Sequence, residues 1–158
     1  MKGNTMQSTL PRWEQLPKLD LYADQVLSYI NPLCEEHNVK PLTKAMINNY
    51  VKLGLIPAPN KKRYQRIHIA FLFVIVFLKE GFDISLIKNG IMQETKRLGL
   101  KEAYNAFGLT LKQALEYGSQ NLLELKESIS PLMLHATLTI AHQKQAQALI
   151  ASQETTHE

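Results

Sequence analysis

Apolar residues recur along most of the chain at the three- and four-residue spacing of helices buried on one side. Leu19, Tyr22, Val26, Leu27, Tyr29 and Ile30 are the first such set, and they predict a helix broken or bent around Pro32, whose ring removes a backbone donor. Met46, Ile47, Tyr50 and Val51 follow Thr43, a residue suited to cap a helix over 43–53 that closes near Gly54. Ile67 to Leu78 is apolar at nearly every position. Its length favours a buried helix over a strand, with Lys79-Glu80-Gly81 as a glycine-closed turn. Asp83 is placed to cap a helix carrying Ile84, Ile87, Ile91 and Leu98 that ends at Gly99. Thr110-Leu111-Lys112-Gln113 has the form of a capping box, and Leu111, Leu115, Gly118, Leu122, Leu125 and Ile129 continue from it as an apolar seam. Ser130-Pro131 opens a last helix running to about Ala151.

The breaks in this pattern set the organisation. Residues 1–18 hold two prolines and read as a mostly flexible lead-in from which Trp13 and Leu16 can dock. Between Leu55 and Tyr64, Pro57 and Pro59 forbid helix, and a turn at Asn60 is placed to join two short strands into a wing over 56–64. The expected fold is mainly α. It consists of a winged helix-turn-helix domain over 19–99 with a short β-hairpin wing, additional C-terminal helices over 100–151 for dimerisation or effector binding, and a tail over 152–158.

Composition changes the picture only where charge is located. Apolar residues make up 45% of the 158 and charged ones 20%, enough for a core. From His37 to Lys79 there is no Asp or Glu, while Lys40, Lys44, Lys52, Lys61, Lys62, Arg63, Arg66 and Lys79 supply eight positive charges. The other 115 residues carry ten basic and fourteen acidic side chains, so the net charge of +4 conceals a strongly basic segment. Clustered Lys and Arg of this kind attract polyanions through release of condensed counterions.

On the 43–53 helix, Lys44, Ala45, Asn48, Asn49 and Lys52 point away from the apolar face. Asn pairs in bidentate fashion with adenine in the major groove, and Lys reaches guanine or phosphate. Lys61, Lys62, Arg63 and Arg66 surround Tyr64 on the wing, where each cation can neutralise a phosphate and the hydroxyl can donate to one.

Thr43 to Pro57 (TKAMINNYVKLGLIP), followed by KKRYQRIHIAFL and LKEGFDISLIK, resembles the DNA-binding domain of the MerR family of winged-helix regulators. It resembles more closely an uncharacterised bacterial family of unknown function that joins a Leu-Thr-x-x-Met-Ile-Asn-Asn-Tyr-Val-Lys block to Lys-Lys-Arg-Tyr. The MerR resemblance implies that Asn48 and Tyr50 stand where that family places its DNA-contacting arginine and tyrosine. It also implies a dimer helix and sometimes an effector pocket after the DNA-binding part, for which Tyr104, Phe107 and Tyr117 are candidates.

Other chemistry is weakly signalled. Cys34 and His37 have the gap of a metal-ligand pair but no second pair, and His135 and His142 lie too far apart along a helix to share an ion. The isolated glycines make no phosphate loop, and one cysteine forms no internal disulfide. The expectation is therefore a non-enzymatic, cofactor-free cytoplasmic regulator of transcription. Its DNA-binding set comprises Lys44, Asn48, Asn49, Tyr50, Lys52, Lys61, Lys62, Arg63, Tyr64 and Arg66. Expected partners are duplex DNA, a second copy of the chain and an unidentified small-molecule effector, with no membrane span or signal peptide. The alternative is an adaptor whose winged helix binds an acidic protein.

Overall fold

The computed structural model describes residues 9–118 and 129–155. Its most apolar helix lies at its centre. Nine of the 13 residues of Arg66–Leu78 are buried, and Ile69, Leu72, Phe73, Ile75, Val76 and Phe77 are almost wholly removed from solvent. Burying side chains of this size contributes about 1.5–3 kcal/mol each. The other helices arrange themselves around this one. In chain order they are α1 (Ala23–Glu36), α2 (Lys44–Lys52), the central helix α3, α4 (Ile84–Leu98), α5 (Leu100–Tyr117) and α6 (Pro131–Thr155). Helices α1, α5 and α6 pack on α3, and α4 reaches the core mainly through α5. Two short strands, β1 (Leu21–Tyr22) and β2 (Arg63–Tyr64), pair antiparallel with Leu21 opposite Tyr64.

Local signals set most helix ends. Thr43 Oγ1 accepts from Met46 N at 3.1 Å, and Asp83 Oδ1 accepts from Leu86 N at 2.9 Å. Ser130 Oγ accepts from Met133 N at 3.0 Å to open α6. Gly54 closes the α2 end at φ 69°, and Gly99 both ends α4 and starts α5 at φ 85°.

Three expectations are corrected. The first helix starts at Ala23 and runs through Pro32, because Val26, Ile30 and Cys34 put a continuous buried face on both sides of it. Leu19 is 79% exposed, and Leu21 and Tyr22 are strand. Second, no hairpin forms from 55–64 alone. Pro57 and Pro59 cannot donate to a ladder, so pairing there stops at one bridge between Asn60 and Arg63, and the β2 strand takes its partner from before α1. Third, Thr110 caps nothing. It is a fully buried residue inside α5 whose hydroxyl donates to Ala106 O at 2.6 Å, and the buried positions run unbroken from Ala103 to Ala114. The expected turn at Lys79-Glu80-Gly81 does end α3, with Gly81 N and Phe82 N donating to Leu78 O and without a left-handed glycine. A Cβ there would approach Ile140 Cδ1 to 3.2 Å, so the glycine admits α6.

The lead-in is tied down within its described part. Leu10 and Leu16 are buried, Trp13 N donates to Asn105 Oδ1 at 2.9 Å, and the Tyr104 hydroxyl donates to Pro11 O at 2.5 Å. Residues 10–16 thus lie along α5. Leu122 and Leu125 of the expected seam fall outside the described residues.

Candidate nucleic-acid interface

Helix α2 is held from behind by its own sequence and by two distant residues. Ile47 and Tyr50 enter the core at 0% and 4% exposure, while Lys44, Asn48, Asn49 and Lys52 are exposed on the opposite face. The Asn31 side chain of α1 clamps the segment before α2: its Nδ2 donates to Leu42 O at 2.9 Å and its Oδ1 accepts from Leu42 N at 2.8 Å. Beyond the other end, Leu55 N and Ile56 N both donate to Tyr50 O, and Leu55 and Ile56 are buried. Lys88 of α4 donates from Nζ to Leu53 O at 3.3 Å, which puts a further cation beside Gly54. A cation near a helix C-terminus is favourably placed against its dipole.

The segment after α2 returns by a tight turn. Asn60 and Arg63 exchange both backbone hydrogen bonds, at 3.0 and 2.9 Å, around Lys61 at φ 50° and Lys62 at φ 64°. Two successive positive φ values are the sign pattern of a I′ turn, which Asn-Gly satisfies at least cost. Here two exposed lysines occupy it. The approach to the turn is fixed by buried His68: Nδ1 accepts from Gln65 N at 2.9 Å, leaving Nε2–H for Ala58 O at 3.2 Å. Arg63 Nη2 donates to the Tyr22 hydroxyl at 3.3 Å, with the guanidinium 5.5 Å from that ring's centroid.

The ten expected contact residues divide. Lys44, Asn48, Asn49, Lys52, Lys61, Lys62 and Arg63 are exposed. Arg66 is half-buried, its guanidinium 5.9 Å from the Trp13 ring centroid and 3.5 Å from Leu16 O. Tyr50 and Tyr64 are core residues at 4% exposure, and burial raises the pKa of both hydroxyls. Tyr64 lies edge-on to His68 and has no surface left for a phosphate. The periodicity that turned Tyr50 inward outweighs the resemblance that turned it outward.

Lys44, Lys52, Lys61 and Lys62 have no ion-pair partner among the described residues, where the pairs are Arg12–Glu14, Arg97–Glu94 and Lys101–Glu14. Lys79 is partly spent: its Nζ donates to Lys40 O at 2.9 Å, and desolvation lowers its pKa. Asn31 and Lys88 escape a sequence reading. Their partners are 11 and 35 residues away, and nothing local marks the contact.

A second feature lies between α3, α4, α5 and α6, an apolar cavity of about 250 Å³. Tyr104 and Phe107 line it as expected, whereas Tyr117 is 51% exposed and elsewhere. Among the described residues no three His, Cys, Asp or Glu side chains could hold a metal, and no helix is long and apolar enough to cross a membrane.

The model of the family described as "Domain of unknown function (DUF1836)" matches residues 11–107. The chain belongs to that family. The DUF1836 match takes in α1 to α4, the strand pair and α5 as far as Phe107, and it begins where Pro11 accepts from Tyr104. No curated protein and no solved structure matches the chain.

Proposed function

We propose that this DUF1836 protein is a MerR-like winged-helix regulator of transcription that binds duplex DNA. The α2 helix would lie in the major groove and the Lys61–Lys62 turn against the backbone. One observation carries the reading: α2 turns Lys44, Asn48, Asn49 and Lys52 to solvent from within a segment that has no carboxylate between His37 and Lys79. Lysines at the ends of that face suit phosphates, and the paired asparagines between them suit adenine edges. The same reading makes the protein a cytoplasmic homodimer, since two copies of α2 would meet half-sites about 34–36 Å apart.

A salt series on duplex DNA tests it, read by fluorescence anisotropy. Binding should weaken steeply with salt, with the slope reduced by about 0.9 in each of Lys44→Ala and Lys52→Ala. Asn48→Ala should keep the slope and flatten the preference among sequences selected from a random pool. Absence of duplex binding at low salt refutes the reading. Equal binding to an acidic peptide of matched charge would favour a protein partner instead.

A further inference from the structure

The cavity between α3, α4, α5 and α6 has an unusual combination of size and chemistry. Apolar concavities are uncommon at a folded surface, because uncovered apolar walls forfeit their contacts. This one measures about 250 Å³, with Phe71, Val74, Leu86, Phe107, Leu132 and Met133 among its walls. The space opens to solvent along Leu86 and Leu132, which are 57% and 42% exposed, and water against its apolar lining is readily displaced because it finds few polar partners. The polar lining is largely engaged. Thr95 Oγ1 donates to Ile91 O at 2.7 Å, and Glu94 is held by Arg97 at 2.9 Å and by the Ser130 hydroxyl. Among the described residues no lysine or arginine lines the space, and Arg97 beside it is already held by Glu94, so an anionic head finds no free cation. A cationic one would compete with Arg97. The exposed amides of Asn89 and Gln93 at the lining can serve a neutral polar group.

We infer that this cavity is a binding site for an uncharged, mostly apolar small molecule of one or two rings or an equivalent aliphatic chain. It is too small for a partner helix, whose diameter with side chains is about 10–12 Å. Gly90 of α4 lines the space, and a Cβ there meets only Leu132 Cδ2, at 4.0 Å. A larger side chain at this position therefore grows into the cavity without displacing backbone.

The experiment titrates the 158-residue chain with 6-propionyl-2-(dimethylamino)naphthalene, a neutral two-ring dye whose emission shifts to the blue in apolar surroundings, and follows melting in parallel. Wild type should bind saturably with one dye per chain and gain melting temperature with dye. Gly90→Leu should bind at least tenfold more weakly while melting no lower than wild type, since it also replaces a helical glycine. Ala136→Leu, from the α6 wall, supplies the same comparison should Gly90→Leu lose its cooperative melt. Non-saturating fluorescence, or titrations that neither filled variant alters, overturns the inference. So does dye binding that appears only on dilution of a dimer, because a second copy would then be the occupant. DNA plays no part in the measurement, so the outcome stands apart from that reading.

Discussion

Replacing Lys61 and Lys62 together by Asn and Gly should move stability and DNA binding in opposite directions. Both lysines sit at positive φ, at 50° and 64°, where an L side chain crowds its own backbone. The left-handed conformation costs roughly 1–2 kcal/mol per ordinary residue. Asn tolerates it and Gly adopts it freely. The glycine also frees the unfolded chain, which returns about 0.4–1 kcal/mol, so the double variant should gain roughly 1–2 kcal/mol. For a chain of this length that raises the melting temperature by about 2–8 °C, with the urea midpoint moving in parallel at unchanged m. Neither charge lost belongs to an ion pair among the described residues, so their removal leaves the fold's electrostatics nearly untouched. On duplex DNA the salt slope should fall by about 1.8 and affinity should drop at every salt. A variant that melts lower than wild type refutes the strain assignment. One that binds with an unchanged slope refutes the placement of this turn on the DNA backbone.

Two further outcomes follow from the core. Asn31→Ala strands the partly buried amide and carbonyl of Leu42 and should cost about 2–3 kcal/mol, seen as a lower urea midpoint; no change would show that water takes over both bonds. Burial raises the pKa of Tyr29, Tyr50, Tyr64 and Tyr104, the last most strongly, so the folded state holds these hydroxyls neutral where the unfolded chain ionises them. The stability this contributes is complete below about pH 10 and is lost as pH rises beyond it. Melting temperature should therefore decline above about pH 10, less steeply in Tyr104→Phe, with tyrosinate absorbance from these residues appearing only with unfolding. Their ionisation within a still-folded protein at about pH 10 would contradict this.

Helix starts and stops were readable because their causes are local. A side chain that caps at Thr43, Asp83 or Ser130 bonds an amide three residues on, and Gly54 and Gly99 meet a demand of their own backbone. Likewise the exposed face of α2 follows from spacing alone, since nothing needs to be known of what Ile47 and Tyr50 pack against. The same locality misleads at Thr110. Its capping pattern is satisfied in sequence, yet burial of Ala103, Tyr104, Phe107 and Leu111 carries the helix straight through it.

What the sequence by itself determined, then, is a helical chain with one acid-free basic segment and a polar, solvent-facing side on its second helix. The tertiary structure decided which of those groups reach solvent. Pairing of Tyr64 with Leu21, 43 positions earlier, places the tyrosine in the core, and Trp13 draws Arg66 inward. It also decided that four helices leave an apolar space beside Tyr104 and Phe107. Contacts of this kind depend on loop closure and on volumes contributed by distant elements, and no short window of residues encodes either.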